Sequence, residues 1–329
     1  MMRLAKFEHL SPTMVEEACF LLDKHGPKAR ILAGGTDLFV AMKLRNIQPT
    51  CLISLKGIDG LKGISYHEEE GLKVGAMTPL YQVRKDPFIR EHYQALAQAA
   101  AVVGSPQIQR MGTLGGNLLL NTRCFFYNQS SSWRRHRPVC LKMGGDVCHV
   151  VVKGNKCYAV FSGDTPPALI ALDAKVRLVS SKATRWVQLK DLYTRDGKEP
   201  IALHPNEILT EIQLPPVANQ VSTYLKYRMR KAIDFPLVGV AAKIVWDGRR
   251  DRTCLQARII LNAIGPAPME VPEAEALLIG TLPDREVIRK AAEMARRISG
   301  PVANTDSTPA SRREMAGILT GKALKALIG

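Results

Sequence analysis

Short apolar runs and amphipathic segments alternate along the first part of the chain. Thr13 and Glu16 have the spacing of a helix capping box, and an amphipathic pattern follows them as far as Gly26. This pattern predicts a helix that begins after Thr13 and ends at Gly26. The apolar runs ARIL (residues 29–32) and CLISL (residues 51–55) predict two strands, with a glycine turn and a second helix between them.

The following segments continue this mixture of helix and strand. Residues 63–76 alternate around an acidic stretch, which predicts a hairpin that reverses at residues 69–71. Residues 86–103 are rich in alanine and predict one long helix. Residues 162–181 predict a short helix followed by a strand. The first two thirds of the chain therefore have the pattern of an α/β region.

The pattern changes after the proline-marked segment LPPVANQ (residues 214–220). Three long apolar runs follow, which predict three strands of one antiparallel sheet, and the remainder of the chain has helical periodicity. We expect an α+β fold, with one domain over residues 1–216 and a smaller domain over residues 217–329. The three predicted strands lie within residues 222–230, 237–246 and 254–265.

Composition makes the chain basic without marking it as a nucleic-acid-binding protein. Its 329 residues include 46 Lys and Arg against 30 Asp and Glu, a formal net charge of +16, but these residues are spread along the whole length. Aromatic residues are sparse, and no nucleic-acid recognition motif is present. The densest basic run is WRRHR (residues 133–137), which predicts attraction of an acidic partner protein.

Hydropathy predicts a cytoplasmic protein that does not contact a membrane. The N-terminal segment lacks the apolar run of a signal peptide, and no stretch has the apolar length of a transmembrane helix. In a reducing compartment, clustered cysteines bind metals or carry out redox chemistry more often than they form disulfides.

Four of the seven cysteines lie within 34 consecutive residues, at positions 124, 140, 148 and 157. Four thiolates complete the ligand set of one zinc ion or one 4Fe-4S cluster, and their spacing, C-x15-C-x7-C-x8-C, does not distinguish the two. In a zinc site, His136 or His149 could replace a cysteine. The other three cysteines lie in apolar segments and are expected in the core: Cys19, Cys51 and Cys254.

Two glycine turns have the composition of phosphate-binding loops. In AGGTDL (residues 33–38), Gly34 and Gly35 let consecutive backbone N–H groups point into one concavity, and Thr36 adds a hydroxyl. GTLGGN (residues 112–117) has the same composition. Two such turns on either side of one pyrophosphate predict a dinucleotide site, although ordinary turns are the simpler alternative.

Together these segments carry a family resemblance. LAGGTDL, TLGGN and SGDTPPALIALDA, followed by YLKYRMRKAIDFPLVGVA, occur in the order found in the FAD-binding subunits of the xanthine dehydrogenase family of molybdenum hydroxylases, which the chain resembles over nearly its whole length. The resemblance implies an FAD-binding domain of the vanillyl-alcohol-oxidase (PCMH) type, built from two α/β lobes. It also implies a small C-terminal domain and no catalytic residue in this chain.

The resemblance also implies which residues contact FAD. Asp164 would bind the adenosine side, whereas Leu209 and Lys226 would lie near the flavin ring. Considered alone, Asp164 could equally cap the helix that follows it, and Lys226 would be an exposed lysine on a strand. The implied contacts of the two glycine turns are Ile31, Leu32, Ala33, Gly34, Gly35, Thr36, Asp37 and Leu38 in the first, and Thr113, Gly116 and Asn117 in the second.

All four clustered cysteines lie in an insertion. In most family members TLGGN continues almost directly into SGD, whereas here residues 123–161 separate the two segments. This insertion is similar to that of the flavin subunits of 4-hydroxybenzoyl-CoA reductases, which binds an additional 4Fe-4S cluster. The resemblance implies that the cluster ligands are Cys124, Cys140, Cys148 and Cys157.

The implied function is electron transfer within a larger complex. Reduced ferredoxin would supply electrons through the 4Fe-4S cluster and FAD to a 2Fe-2S small subunit and a molybdenum large subunit, which dehydroxylates 4-hydroxybenzoyl-CoA to benzoyl-CoA. The implied assembly is a dimer of heterotrimers. Two alternatives stay open: a flavin subunit for another aryl-CoA or an N-heterocycle, and a non-enzymatic binding module stapled by zinc.

Overall fold

The structure is a computed structural model that describes residues 3–248 and 253–329. It contains both helices and strands, which confirms the α+β prediction. The strands are β1 (Glu8–Leu10), β2 (Ala29–Leu32), β3 (Cys51–Ser54), β4 (Ile64–His67), β5 (Gly71–Gly75), β6 (Lys175–Val179), β7 (Thr184–Gln188), β8 (Ile208–Leu214), β9 (Gln220–Tyr227), β10 (Val238–Trp246), β11 (Cys254–Asn262) and β12 (Met269–Glu270). The helices are α1 (Val15–His25), α2 (Leu38–Lys43), α3 (Leu80–Lys85), α4 (Pro87–His92), α5 (Gln94–Ala101), α6 (Pro106–Met111), α7 (Leu114–Leu118), α8 (Ser131–Arg134), α9 (Thr165–Ala171), α10 (Pro272–Leu278), α11 (Arg285–Ile298) and α12 (Pro309–Ile328).

A small parallel sheet with the strand order β1-β3-β2 forms the first lobe. Cys51 in the central strand pairs with Glu8 on one side and Ala29 on the other. Helix α1 packs on this sheet and contributes Cys19 to the same core, where Cys19 and Cys51 are both buried. The prediction that these two cysteines are core residues is confirmed.

A five-stranded antiparallel sheet, ordered β4-β5-β8-β6-β7, forms the second lobe. The hairpin of β4 and β5 turns as predicted, and Gly71 adopts a φ of +85° that a residue with a side chain rarely adopts. Helices α5 and α9 cover the core of this lobe. Leu209 of β8 lies in that core opposite Leu178 of β6.

The C-terminal part is a four-stranded antiparallel sheet, ordered β12-β11-β10-β9. The three predicted strands are present, and the short β12 adds a fourth. Strand β10 is buried on both faces, so its sequence is an almost continuous apolar run. Helices α10, α11 and α12 pack on one face, whereas Ala241 on the other face joins the core of the second lobe. We propose that the domain boundary at residue 216 lies between β8 and β9.

Two local predictions for the N-terminal helices are wrong. The Thr13 side chain does not cap α1, and the Thr13 N–H donates to Glu17 Oε2 (3.1 Å) rather than to Glu16. The long helix predicted over residues 86–103 is two helices that meet at Tyr93, where φ is −127° and ψ is 51°. The Tyr93 hydroxyl donates to the Pro215 carbonyl (2.6 Å), so a tertiary contact fixes this break.

The longest helix, α12, carries basic residues throughout and is anchored by the fully buried Arg312. Among the helices of residues 3–248 and 253–329, none combines the length and the apolar character needed to cross a lipid bilayer.

Candidate functional site

The two glycine turns are in direct contact. A Cβ atom on Gly34 would lie 2.0 Å from the carbonyl oxygen of Met111, and one on Gly116 would lie 4.0 Å from the Ala33 side chain. Only a residue without a side chain fits at Gly34, because the opposing atoms belong to the backbone and cannot rotate away. The sequence could show two similar turns, but only the fold shows that they share one surface.

The first turn presents a run of backbone N–H groups. Gly35 adopts a φ of +73°, and Thr36 at the tip is exposed. Within the part of the chain that the structure describes, the N–H groups of residues 34–37 donate to no protein acceptor. Consecutive unused N–H groups at a bend of this kind form a concavity that binds anions.

The second turn has different chemistry, contrary to the sequence interpretation. Its residues form the short helix α7, with the Thr113 hydroxyl at the N-cap. Asn117 also joins this turn to α9, because its Oδ1 accepts from the N–H (3.0 Å) and hydroxyl (2.7 Å) of Thr165. The N–H groups of Leu114, Gly115, Gly116 and Asn117 donate to the Thr78 carbonyl, the Ala76 carbonyl, Thr113 Oγ1 and the Thr113 carbonyl. Of the two turns, the first is therefore the one whose backbone N–H groups are free to bind a phosphate.

Arg123 connects the first turn to two other segments. Its guanidinium lies 3.6 Å from Asp37 and 3.9 Å from the ring centre of Phe235, in the loop between β9 and β10. Burial raises the pKa of Asp37 and lowers the pKa of Arg123, and the attraction between the two charges opposes both shifts. Sequence reasoning did not single out Arg123, whose only signal was its place at the start of the insertion.

Asp164 and Lys226 form a buried ion pair. Asp164 Oδ2 lies 2.8 Å from Lys226 Nζ, and the two side chains are 4% and 2% exposed. Tyr224 donates its hydroxyl to Asp164 (2.8 Å), while Lys226 also donates to the Val102 and Asp234 carbonyls. Burial raises the pKa of Asp164 and lowers that of Lys226, and their mutual attraction opposes both shifts.

This pair overturns both simpler interpretations drawn from the sequence. Asp164 makes no side-chain cap bond to α9, and Lys226 is not an exposed strand residue. The resemblance put Asp164 on the adenosine side and Lys226 near the flavin ring, whereas the structure joins them directly. Leu209 is 3% exposed in β8, and its contact with the flavin stays a prediction, as do those of Asp164 and Lys226.

The four clustered cysteines line one pocket. A two-way backbone bridge between Arg123 and Val160 (2.7 Å for each bond) closes the segment that contains them. The pocket encloses about 330 Å³ of empty space, part of it open to solvent, and Phe126 and Tyr127 supply aromatic walls. The fold thus brings together Cys124, Cys140, Cys148 and Cys157, although 32 residues lie between the first and the last.

The sulfur atoms are spaced too widely for one tetrahedral zinc ion. With Zn–S bonds of about 2.3 Å, tetrahedral geometry requires about 3.8 Å between sulfurs. Among the described residues, the three-ligand group whose atoms all lie within 4.8 Å of one another is Glu8, His25 and Cys51, in the first lobe. No three cysteines of the insertion approach each other that closely.

The two histidines of the insertion are already hydrogen-bonded to backbone. His136 Nδ1 lies 2.9 Å from the Ser132 carbonyl, and His149 Nε2 lies 2.9 Å from the Pro138 carbonyl. His149 lines the cysteine pocket beside Phe126, whereas His136 is exposed. The geometry therefore favours the cysteines over the histidines as ligands.

The cysteines lie among mainly apolar and aromatic side chains, with Lys142 and His149 also lining the pocket. Burial raises the pKa of Cys124 to about 11, and burial also raises the pKa of Cys157. Burial lowers the pKa of Lys142 to about 8, and the nearby Cys157 and Asp196 oppose that shift most strongly. Backbone N–H groups point at two sulfurs, since Val151 donates to Cys148 Sγ (3.4 Å) and Ala159 donates to Cys157 Sγ (3.5 Å).

The C-terminal domain clamps the base of the insertion through Asn304. The Phe125 N–H, next to Cys124, donates to the Asn304 carbonyl (2.9 Å), and Asn304 Nδ2 donates to the carbonyl of Tyr158 (2.6 Å), next to Cys157. Arg312 Nη1 in turn donates to Asn304 Oδ1 (3.1 Å). One asparagine thus holds both ends of the cysteine segment.

The basic run WRRHR divides into structural and exposed residues. The half-buried Arg134 guanidinium is held by the protein, with bonds to Asn46 Oδ1 (2.8 Å) and to the carbonyls of Leu44 and Arg45, among others. Arg135 and Arg137 are exposed, and Arg137 lies 4.2 Å from the Trp133 ring centre. The exposed guanidinium groups of these two arginines are available to a partner protein, whereas that of Arg134 is half-buried and already bonded within the chain.

Comparison with known proteins gives matches over nearly the whole chain. A family model for the FAD binding domain in molybdopterin dehydrogenase matches residues 5–217, and a model for the CO dehydrogenase flavoprotein C-terminal domain matches residues 223–327. The two models together account for both parts of the fold.

Individual relatives agree with the family models. The chain is 31% identical to the nicotinate dehydrogenase FAD-subunit of Eubacterium barkeri, over 83% of this chain and 80% of that protein. It is 33% identical to the FAD-binding subunit of an aldehyde oxidoreductase from Escherichia coli, over 77% of this chain and 80% of that protein. A solved carbon monoxide dehydrogenase from Hydrogenophaga pseudoflava matches the fold with a TM-score of 0.80 and 28% identity, over 99% of this chain and 98% of that chain.

Proposed function

The chain belongs to the family of FAD-binding subunits of molybdopterin dehydrogenases, and we propose that it is the electron-transfer subunit of a 4-hydroxybenzoyl-CoA reductase. It is the flavin subunit of a molybdenum hydroxylase-type oxidoreductase, which also contains a large molybdenum subunit and a small 2Fe-2S subunit. The finer assignment rests on the cysteine insertion.

The residues present fit FAD. The unused N–H groups of residues 34–37 suit the diphosphate, and the contact between Gly34 and Met111 keeps the backbone of the second turn beside it. We assign residues 31–38 to the diphosphate and Thr113, Gly116 and Asn117 to the second side of the cofactor. Asp164, Leu209 and Lys226 complete the proposed set of contacts.

We assign a 4Fe-4S cluster, rather than zinc, to the four cysteines of the insertion. The observation that carries this proposal is that Cys124, Cys140, Cys148 and Cys157 line one pocket, with sulfurs spread more widely than a tetrahedral zinc ion allows. Backbone N–H groups directed at two of the sulfurs are also a feature that tunes iron–sulfur centres. The aromatic walls of the pocket would limit the access of water.

When bound, FAD and the cluster supply redox chemistry to a chain whose own side chains need not act as acids or bases. The residues of this chain bind and orient these groups, and Arg123 joins the diphosphate turn to the insertion. We propose that reduced ferredoxin is the donor, that the 2Fe-2S and molybdenum subunits are the acceptors, and that the complex is a dimer of heterotrimers. The substrate is then dehydroxylated in the large subunit.

Metal, sulfide and flavin analysis of the complex tests this proposal. Purified with its partners in the absence of oxygen, the chain should contain FAD, iron and acid-labile sulfide. Cys140→Ser should lose the iron–sulfur signal and keep FAD, because the glycine turns lie outside the insertion. Cys254→Ser, a buried cysteine in β11, is the matched control and should keep both. Zinc in place of iron and sulfide would contradict the cluster assignment.

Substrate choice needs a separate measurement. The similarity to a nicotinate dehydrogenase subunit favours an N-heterocycle as the second candidate substrate class, alongside other aryl-CoA thioesters. Activity of the purified complex on 4-hydroxybenzoyl-CoA, with nicotinate as the comparison, separates these candidates. A non-enzymatic binding module, the third alternative from the sequence, does not fit the family assignment.

A further inference from the structure

The ammonium group of Lys142 is held in a fixed position beside the four cysteines. Lys142 follows Cys140 by two residues and lines the same pocket as the four cysteines. Its Nζ atom donates to Asn121 Oδ1 (2.9 Å), Thr122 Oγ1 (2.7 Å) and the Gly197 carbonyl. These three acceptors match the three N–H bonds of an ammonium group, so the charge has little freedom to move.

None of these three acceptors carries a negative charge. Within the described residues, no carboxylate lies within ion-pair distance (4.0 Å) of Lys142 Nζ, although the carboxylate of Asp196 also favours the charged lysine. Removing a cation from water costs free energy unless an anion lies nearby. Lys142 lines one pocket with Cys124, Cys140, Cys148 and Cys157, so an anionic group held by these sulfurs would lie beside its ammonium group.

We propose that Lys142 is a positioning residue that tunes the redox group held by the four cysteines, offsetting its negative charge and raising its reduction potential. This inference rests on the proposed 4Fe-4S function. Reduction adds an electron to an already anionic group, and a fixed cation in a low-dielectric pocket stabilises the more negative state. The three hydrogen bonds by themselves would only hold the side chain in place. The positive charge is what would raise the reduction potential.

Replacement of the charge is the test. Lys142→Met removes the ammonium group with little change in side-chain length. In the complex purified without oxygen, an EPR-monitored redox titration should show a lower midpoint potential for the cluster. We expect the ratio of reduced to oxidised cluster at a fixed solution potential to fall about tenfold, which is about 59 mV for a one-electron couple.

Matched variants separate charge from structure. Lys153→Met removes the same charge from an exposed position in the same insertion, where solvent and salt screen it, and should leave the midpoint unchanged. Lys142→Arg keeps the charge and should retain most of the wild-type potential. Lys142→Gln keeps two hydrogen-bond donors, so it serves as the neutral variant if Lys142→Met fails to fold.

The possible outcomes distinguish this inference from the proposed function. A cluster that is present in Lys142→Met with an unchanged midpoint overturns the inference and leaves the proposed function intact. Loss of iron from both neutral variants, with FAD retained, also overturns it, because Lys142 would then act only in folding the insertion. A wild-type complex without iron and sulfide overturns both. The inference is supported if the midpoint potential falls in Lys142→Met and Lys142→Gln but not in Lys142→Arg or Lys153→Met.

Discussion

At the scale of single residues, the absence of a side chain at Gly34 lets the two glycine turns touch. Alanine at this position would place its Cβ atom 2.0 Å from the Met111 carbonyl oxygen, so the turns must separate. Overpacking of this kind costs about 1–3 kcal/mol. If that cost falls on the conformation that binds FAD, binding weakens about tenfold to a hundredfold.

Flavin content of the purified Gly34→Ala protein, measured by absorbance after heat release, checks this prediction. Gly60→Ala is the control, because a Cβ atom at Gly60 meets no atom within 4 Å. Full flavin content in Gly34→Ala would show that the contact between the turns is unrelated to FAD.

The ion pair of Asp164 and Lys226 is a second feature at this scale. Asp164→Asn keeps the shape of the side chain but leaves Lys226 charged and without its counter-charge in the interior. Breaking a buried pair in this way costs about 3–5 kcal/mol, whereas loss of an exposed pair costs about 0–1 kcal/mol. In urea unfolding, Asp164→Asn should therefore lower the free energy of unfolding much more than Asp59→Asn does. The Asp59 side chain is 96% exposed and pairs with Lys62. Equal losses would contradict a structural role for the buried pair.

At the scale of elements, α8 and the loop after it form the basic face of the insertion. We predict that Arg135→Ser with Arg137→Ser slows reduction by ferredoxin about tenfold at low ionic strength, because steering by exposed charges accelerates association by such factors. The rate of the double variant should also depend less on salt. Stopped-flow reduction across a range of ionic strengths measures both effects.

The same charge change on α11 is the control for this prediction. Arg285→Ser with Arg289→Ser, far along the chain from the insertion, should leave the rate unchanged. Equal slowing in both double variants would show that only the total charge matters. Arg134 is left out of the test, since its bonds to Asn46 and the end of α2 make its replacement a change of structure.

Periodicity predicted most elements, and its failures occurred where distant contacts decide the outcome. The strands β2, β3, β10 and β11 carry the apolar runs that predicted them, and Gly26 ends α1 as predicted, whereas β7 and β8 were not predicted. Tyr93 breaks an alanine-rich helix because its hydroxyl reaches Pro215, which is 122 residues away. No local pattern carries that information.

In the candidate site too, the sequence predicted local features but not those that depend on distant contacts. Glycine composition and the excess of cysteines identified both regions, but which N–H groups are free depends on backbone geometry. The sequence could not reveal that Asp164 pairs with Lys226, or that Arg134 is half-buried and bonded to Asn46 whereas Arg135 is exposed. Each of these facts depends on residues far apart in the chain meeting in space.

At the scale of the whole molecule, the two parts of the chain share one core. Tyr224, Ala241 and Ile260 of the C-terminal sheet belong to the same apolar cluster as α5 and α9. We predict that residues 1–216 expressed alone expose this apolar surface, bind a hydrophobic dye and lack a cooperative urea transition. The full chain should unfold in one transition when fluorescence and circular dichroism are compared. A cooperative transition in the truncated chain would contradict this prediction.

The clamp at Asn304 imposes an order of events on synthesis. A ribosome makes residues 124–157 long before it makes Asn304 and Arg312, so the two ends of the cysteine segment lack their fastening throughout most of translation. The pocket can take its final form only after the last helix has emerged. Any group held by the four cysteines therefore meets the fastened form of the pocket only in a chain that has been synthesised as far as Arg312.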